Sequence, residues 1–232
     1  MECIILAGGF GTRLQAVIGE YPKCMAPVNG KPFLRYLFDY LIKQNCSRAI
    51  LSLGYKHEVI LDWLQTQTLP FIVDYVIESE PLGTGGGIQL AMKQAHDDTV
   101  AILNGDSLFL VNMQELMEFH KNKNAEATLS LKEMQQFDRY GCVNIDETNC
   151  IVSFDEKKYH ESGLINGGVY IINKAAFQSK KFSEQFSFEK QYLEHYVDKR
   201  KFFGYTSDDY FIDIGVPADY ARAQEDFKTL FQ

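Results

Sequence analysis

The chain has 232 residues and a formal net charge of −8, with 46% hydrophobic and 23% charged residues. A chain of this length forms one large α/β domain or two small ones around a substantial core. The negative charge argues against nucleic-acid binding, so a site for a polyanion has to gather its few cations locally. No apolar run approaches the roughly 20 residues of a membrane span, and the N-terminus lacks the pattern of a signal peptide.

The five cysteines are odd in number and show no Cys-x-x-Cys spacing. Such a set is typical of free thiols in a reducing compartment, so we expect a cytoplasmic protein. The five histidines show neither metal-ligand nor catalytic-triad spacing. We therefore expect no zinc site and no covalent intermediate.

In the first half of the chain, short apolar runs alternate with amphipathic segments. Strands are predicted over residues 3–6, 48–53, 71–77 and 100–103, and helices over 32–45, 57–64, 88–95 and 114–123. Strands separated by helices in this rhythm predict an α/β fold. We expect a doubly wound, mostly parallel but mixed Rossmann-like sheet with helices on both faces.

The second half has a looser, β-rich pattern. Strands are predicted over 127–131, 141–145, 151–154, 168–172, 201–205 and 210–214, and helices over 187–197 and 217–231. No linker, repeat or low-complexity tract separates the two halves. We therefore expect one domain over residues 1–232, in which a small β-rich part is attached to the first half.

A glycine-rich turn with two cations follows the first predicted strand. Gly8, Gly9 and Gly11 have no Cβ, which allows successive backbone N–H groups to turn toward an anion. Arg13 and Lys23 add positive charge that core packing does not require. The turn matches neither a P-loop nor a dinucleotide-binding fingerprint. A glycine triplet alone is more often an ordinary turn, but with these cations it predicts a site for a nucleotide polyphosphate.

Two carboxylates occupy positions that indicate a metal site. Asp106 follows the fourth predicted strand, and Asp213 lies between apolar residues in a late strand. Ligands of open α/β sheets bind beyond the carboxyl ends of strands, and Mg²⁺ prefers oxygen ligands. Taken singly, Asp106 fits an Asx turn and Asp213 fits a lysine or arginine partner equally well. Together with the phosphate loop, the pair predicts bound Mg²⁺.

Other polar residues lie beside the remaining strands. A glycine-rich segment that includes residues 83–85 follows the third strand, while Lys157 and Asn166-Gly167 lie in the second half. An amide beside bare backbone suits a sugar hydroxyl, and a lysine suits a phosphate. Singly, a β-turn and a solvated surface lysine are the commoner interpretations.

The combined motifs resemble those of the sugar-1-phosphate nucleotidylyltransferases, and they span nearly the whole chain. In the first half they are Leu6-Ala7-Gly8-Gly9-x-Gly11-Thr12-Arg13, Pro22-Lys23, Gly83-Thr84-Gly85 and Asn104-Gly105-Asp106. In the second half they are Tyr140-Gly141, Glu156-Lys157, Asn166-Gly167-Gly168 and Asp213-Ile214-Gly215. The residues at 25–34, 164–170 and 211–217 look most like those of D-glycero-D-manno-heptose 1-phosphate guanylyltransferases.

This resemblance implies Mg²⁺-dependent transfer of GMP from GTP to D-glycero-D-manno-heptose 1-phosphate, with release of pyrophosphate. It implies a nucleotide-binding half over 1–125 and a sugar-phosphate-binding half over 126–232. The implied nucleotide-binding residues are Leu6, Ala7, Gly8, Gly9, Gly11, Thr12, Arg13, Lys23, Glu80, Gly83, Thr84, Gly85, Asn104 and Gly105. The implied sugar-phosphate-binding residues are Tyr140, Gly141, Glu156, Lys157, Asn166 and Gly167. The implied catalytic residues are Arg13, Lys23, Asp106 and Asp213, of which the two aspartates hold the metal.

The partners expected from this resemblance are GTP and a sugar 1-phosphate, without nucleic acid or membrane; a homodimer is a possible assembly.

A separate chemical argument concerns which nucleotide base is recognised. Glu80 stands where relatives with other base preferences often carry glutamine. A carboxylate accepts two parallel N–H bonds, and guanine presents its N1–H beside its N2 amino group. Glu80 is therefore the predicted reader of guanine.

One position departs from the family pattern. Cys24 occupies a place where relatives usually repeat a proline, directly after Lys23. A thiol next to a cation is expected to have a lowered pKa and to be sensitive to alkylation. No phosphate ligand is lost by this change.

Other functions stay open at the level of sequence. The same reaction on mannose 1-phosphate or glucose 1-phosphate with GTP, UTP or dTTP is one. A non-catalytic regulator that binds nucleotide-sugars is another, although such a protein is free to lose the four implied catalytic residues. A sugar transferase is disfavoured because the sequence after Asp106 lacks the second carboxylate of an Asp-x-Asp motif.

Overall fold

The structure is a computed structural model that describes residues 1–231. Its strands are β1 (Glu2–Ala7), β2 (Pro27–Val28), β3 (Lys31–Pro32), β4 (Arg48–Leu53), β5 (Ile72–Ile77), β6 (Thr99–Asn104), β7 (Ser107–Phe109), β8 (Ala127–Phe137), β9 (Val143–Ile145), β10 (Ile151–Phe154), β11 (His160–Asn173), β12 (Phe202–Thr206) and β13 (Phe211–Asp213). Its α-helices are α1 (Gln15–Ile18), α2 (Phe33–Lys43), α3 (His57–Gln65), α4 (Gly83–Met92), α5 (Met113–Asn122), α6 (Lys174–Gln178) and α7 (Pro217–Leu230). Two 3₁₀ helices cover Lys23–Met25 and Val197–Lys199, and a π-helix covers Phe188–Glu194.

One seven-stranded sheet runs through both halves of the chain, in the order β12-β8-β11-β6-β1-β4-β5. Strand β1 pairs in parallel with β4 and β6, and β4 pairs in parallel with β5. Strand β11 is antiparallel to both of its neighbours, β6 and β8, whereas β12 is parallel to β8. The prediction of a mostly parallel, mixed sheet is confirmed.

Successive residues of β1 pack against opposite layers. Ile5 belongs to a core that also contains buried residues of α2, α5 and α7, whereas Ile4 belongs to a second core with α4 and the π-helix. Both isoleucines are fully buried. Burial of one such side chain stabilises the fold by roughly 1.5–3 kcal/mol. The predicted helices on both faces of the sheet are therefore confirmed.

Helix α4 begins at Gly83 and not at the predicted residue 88, so the glycine-rich segment forms its first turn. Glycine is a poor helix former, which is why its sequence favours a loop. Here the side-chain-free surface serves packing. A Cβ on Gly85 would lie 2.2 Å from the Phe186 ring. Tertiary contact with the segment before the π-helix therefore overrides the local propensity.

The antiparallel arm of the sheet is longer than predicted. Strands β8 and β11 pair from Phe137 and His160 inward, well beyond the predicted strands at 127–131 and 168–172. The predicted start of this strand at residue 168 is wrong, because Asn166 and Gly167 also lie inside β11. Their register shifts between Asn166 and Tyr170, which marks a bulge. Polar, exposed side chains on the outer part of the arm concealed it from the apolar pattern.

Strand β7 and helices α1 and α6 were not predicted, because each is too short to show a periodic pattern. Strand β7 matters for the site, since it pairs antiparallel with β13 and places Asp213 opposite Ser107. Among residues 1–231, every helix is too short or too polar to cross a membrane.

Candidate active site

Two adjoining cavities lie at the carboxyl ends of the central strands. The first has a volume of about 350 Å³ and the second about 610 Å³, within the range of small-molecule sites. Asn104, the last residue of β6, lines both cavities. The arrangement provides room for two ligands that meet near the end of β6.

The first cavity collects most of the residues predicted to bind nucleotide. Those that line it are Leu6, Ala7, Gly8, Gly9, Lys23, Gly83, Thr84, Asn104 and Gly105, together with Asp106. Lys23 lies in the first 3₁₀ helix, and the others come from the ends of β1 and β6 and the start of α4. Because parallel strands end at the same edge of a sheet, segments far apart in sequence meet here.

The loop after β1 presents free backbone donors. The N–H groups of residues 9–13 donate no hydrogen bond to any residue that the structure describes. Gly11 has a φ of +61°, and a Cβ there would lie 3.0 Å from the Lys23 Cβ, so glycine is required on both counts. A run of free N–H groups beside a lysine forms a concave site suited to phosphate oxygens.

Five predicted nucleotide residues do not line the first cavity, and one of them is Gly11 in the loop after β1. Thr12, Arg13 and Glu80 are exposed, and Gly85 is buried against Phe186. Arg13 makes no hydrogen bond or ion pair with residues 1–231, so its guanidinium is available to an anion at the rim. Their predicted roles stay predictions.

Lys23 joins the two predicted metal ligands. Its ammonium donates to Asp106 Oδ2 and, over 3.3 Å, to Asp213 Oδ1. The lysine side chain is only 12% exposed, while those of Asp106 and Asp213 are 36% and 23% exposed. Asp213 Oδ1 also accepts the Gly215 N–H at 2.7 Å. The lysine partner considered for Asp213 is thus present, and both carboxylates direct an oxygen at one point.

The donor set at this point fits Mg²⁺. Two carboxylates converge on one cation, and they are the hard oxygen ligands that Mg²⁺ prefers. Within residues 1–231, no group of three or more histidine, cysteine or carboxylate side chains is placed to hold a metal. A magnesium ion here would therefore take its remaining ligands from water and phosphate, as it usually does.

The second cavity collects the predicted sugar-phosphate residues. Five of the six line it: Tyr140, Gly141, Glu156, Lys157 and Asn166. Gly167 does not, because it packs against Phe109, where a Cβ would lie 2.3 Å from the ring. Asp213 lines this cavity as well. The bulge in β11 turns the Asn166 amide toward the Tyr170 hydroxyl, to which it donates at 2.9 Å.

The expectation of a lowered pKa for Cys24 is wrong. Its side chain is buried, with 3% of the residue exposed. Burial, together with the negative charge of Asp106, raises the pKa of the thiol to about 12. Sequence adjacency to Lys23 misled the prediction, because successive side chains of the 3₁₀ turn point in different directions.

Two glutamates of the site escaped the sequence reasoning. Glu78 lines the first cavity and Glu189 lines both cavities. Glu78 Oε1 accepts from Ser52 Oγ and its Oε2 accepts from Leu82 N, both at 3.1 Å. Glu78 is the first residue after β5, so the strand-end rule that found Asp106 points to it as well. Glu189 lies in the π-helix and had no such signal.

Comparisons with known proteins agree with this geometry. The chain matches the nucleotidyl transferase family over residues 2–229. It belongs to that family. The predicted resemblance is therefore confirmed, and with it the enzymatic class of nucleotidyl transfer.

Members of this nucleotidyl transferase family resemble the chain along almost its whole length. D-glycero-alpha-D-manno-heptose 1-phosphate guanylyltransferase of Aneurinibacillus thermoaerophilus is 49% identical over 228 residues, which cover 98% of this chain and 99% of that protein. The protein of the same name from Campylobacter jejuni is 46% identical over 95% of this chain and 97% of its own length.

Two solved structures share the fold. HddC from Yersinia pseudotuberculosis complexed with GMP-PN superposes with a TM-score of 0.86 at 38% identity, covering 97% of this chain and 99% of that one. A UDP-glucose pyrophosphorylase complexed with UDP-glucose reaches a TM-score of 0.81 at 16% identity over 99% and 98%, which shows the fold alone.

Proposed function

We propose that the protein transfers GMP from GTP to D-glycero-D-manno-heptose 1-phosphate and releases pyrophosphate. The observation that carries this proposal is the pair of adjoining cavities, with Lys23, Asp106 and Asp213 gathered where they meet. The names of the relatives from Aneurinibacillus and Campylobacter support the choice of base and sugar.

The chemistry proposed is an in-line displacement. GTP occupies the first cavity and the sugar 1-phosphate the second, so that a phosphate oxygen of the sugar attacks the α-phosphorus and pyrophosphate leaves. Such a reaction needs positioning and charge neutralisation more than covalent help from the protein. Bringing two polyanions together in a partly dry site without cations would cost several kcal/mol.

Three cationic groups divide this work in our proposal. Arg13 and the free N–H groups of residues 9–13 hold the leaving pyrophosphate. Lys23 lies between the cavities and neutralises charge at the reacting phosphates. Lys157, exposed on the wall of the second cavity, attracts the sugar phosphate. Each would stabilise charge that develops in the transition state.

Asp106 and Asp213 are the residues that would hold Mg²⁺. When bound, the ion would supply positive charge to the α-phosphate oxygens. A bound ion would share these carboxylates with the Lys23 ammonium, which has three donors and would also contact phosphate oxygens.

The guanine reader is a carboxylate of the segment after β5. Glu80 remains the sequence-based candidate, but it is exposed and does not line the first cavity. Glu78 lines the cavity, and each of its oxygens is held by one hydrogen bond. Because each carboxylate oxygen has a second lone pair, Glu78 can still accept the N1–H and N2–H of guanine.

Residues 1–125 would bind nucleotide and residues 126–232 the sugar phosphate within a single domain, since both contribute strands to one sheet. The five cysteines form no disulfide in residues 1–231, in keeping with a reducing cytoplasm. A homodimer is kept as a hypothesis for gel filtration with light scattering.

The decisive experiment measures pyrophosphate release with Mg²⁺. GTP, ATP, UTP, CTP and dTTP are each combined with the 1-phosphates of heptose, mannose and glucose. We expect release with GTP and the heptose phosphate at least tenfold above every other pair. Preference for another pair would keep the reaction and overturn the assigned substrates, while nucleotide binding without any release would favour a regulator.

A further inference from the structure

Glu189 occupies the boundary between the two cavities. It lies in the first turn of the π-helix and lines both cavities, a property that it shares with Asn104. π-Helices are rare and frequently occur at functional sites, because the widened turn displaces side chains from their regular positions. In this chain the π-helix packs on α4, and the first two residues of α4, Gly83 and Thr84, line the first cavity.

One oxygen of the Glu189 carboxylate is fixed by neighbouring hydroxyl groups. Thr84 Oγ1 donates to Glu189 Oε2 at 2.7 Å, and Ser187 Oγ donates to the same oxygen at 2.8 Å. Thr84 Oγ1 in turn accepts the Phe188 N–H at 2.9 Å. The carboxylate is thereby tied to both the first turn of α4 and the residue before the π-helix.

The other oxygen, Oε1, accepts no hydrogen bond from residues 1–231. A carboxylate is an acceptor without a donor, so its ligand has to be a donor. Phosphate groups are excluded by like charge. Within the described residues, Glu189 belongs to no group of three or more side chains that could hold a metal ion. A hydroxyl group of a sugar is the donor that both neighbouring ligands contain.

We propose that Glu189 binds a sugar hydroxyl through Oε1 and so determines affinity for one of the two substrates. This inference rests on the proposed function. The hydroxyl comes either from the ribose of the nucleotide in the first cavity or from the sugar phosphate in the second. The bonds from Thr84 and Ser187 orient the carboxylate and lower the conformational cost of that contact.

The test couples a change in the protein to a change in the ligand. Binding is measured by calorimetry for the wild-type protein and for Glu189→Gln, which keeps size and shape. One arm compares GTP with 2′-deoxy-GTP and 3′-deoxy-GTP. The other compares heptose 1-phosphate with its monodeoxy analogues. Glu184→Gln is the matched control, because Glu184 is exposed, precedes the π-helix and lines neither cavity.

In the wild-type protein, loss of the bound hydroxyl should weaken binding roughly tenfold to a hundredfold, as expected for a hydrogen bond to a charged group. In Glu189→Gln, the same loss should have less than a threefold effect, while Glu184→Gln should behave like wild type. The arm in which this coupling occurs identifies the source of the hydroxyl.

Equal losses in wild type and Glu189→Gln for every analogue would overturn the proposal and leave Glu189 a structural tie. Loss of the coupling in Glu184→Gln as well would also overturn it, because a general charge effect would then explain both. Pyrophosphate release by the wild-type protein is measured separately. If the wild-type protein released no pyrophosphate, the proposed function would be contradicted. The comparison of GTP with its deoxy analogues would still test whether Glu189 binds a hydroxyl group.

Discussion

The two cavities adjoin, yet they are built from different materials. The first is lined largely by three glycine-containing segments, which lie at or follow the ends of parallel strands β1, β5 and β6. The second is formed by side chains on antiparallel strands, a bulge and a π-helix, from positions between 104 and 213. A cavity lined by glycine-rich segments can be recognised from the sequence of each segment. A cavity lined by side chains from distant segments can be recognised only once those segments have paired in the fold.

The boundary between the two cavities should be the point of greatest sensitivity. We expect Asp106→Asn to lower kcat roughly a thousandfold, because one of the two carboxylates that converge on the cation loses its charge. Steady-state pyrophosphate release at saturating Mg²⁺ measures this. Asp62→Asn is the matched control, since Asp62 is exposed on α3 and lines neither cavity. If Asp106→Asn lowered kcat less than tenfold, the Asp106 carboxylate would have no essential part in the reaction.

Base recognition tests the first cavity. We expect Glu78→Gln to lower kcat/KM for GTP roughly tenfold to a hundredfold, because an amide cannot accept two parallel N–H bonds. Glu80→Gln should change the same constant less than threefold, since Glu80 does not line the cavity. The reverse pattern would return the role to Glu80 and show that the segment after β5 rearranges around the nucleotide.

The contact that holds the two regions together tests stability. We expect Gly85→Ala to lower the free energy of unfolding by about 1–3 kcal/mol, because the new methyl group collides with the Phe186 ring. Urea unfolding measures the change. Gly9→Ala serves as the control for stability only, because a Cβ there has no atom within 4 Å. Equal free energies of unfolding for the two variants would mean that the Phe186 side chain moves away from the new methyl group at little cost.

Sugar-phosphate attraction tests the second cavity. We expect Lys157→Gln to raise KM for the sugar phosphate about tenfold and to leave KM for GTP unchanged, since an exposed cation contributes on the order of 1 kcal/mol to a phosphate contact. The adjacent Lys158→Gln, outside the cavity lining, should leave both constants unchanged. A parallel rise in KM for GTP would place Lys157 at the shared boundary.

The smallest effect concerns Cys24. With its pKa raised to about 12, almost no thiolate exists at pH 8, so iodoacetamide should leave activity intact while the urea-unfolded protein reacts readily. Mass spectrometry of alkylated peptides measures both. Rapid modification of Cys24 in the folded protein, with protection by GTP, would instead show that the loop after β1 opens.

The sequence predicted the framework because the framework follows local rules. Apolar runs at β1, β4, β5 and β6 marked parallel strands, of which β5 is an exposed edge strand, and ligands of such sheets gather at the carboxyl ends. The same rule pointed to Asp106. Local propensity gave the wrong prediction for Gly83–Gly87, because it favoured a loop whereas packing against Phe186 made a helix. The apolar pattern also missed the outer part of β8 and β11, because the polar residues there form no apolar face.

The sequence by itself determined the glycine-rich loop after β1, the order of the main strands and helices, and the family, because these depend on residue type and spacing along the chain. The tertiary structure alone decided that Asp106 and Asp213 converge on Lys23, that Cys24 is buried, and that Glu189 faces both cavities. The physical reason is that charge pairing and burial depend on which segments meet in space, and residues 23, 106, 189 and 213 meet only once the sheet has formed.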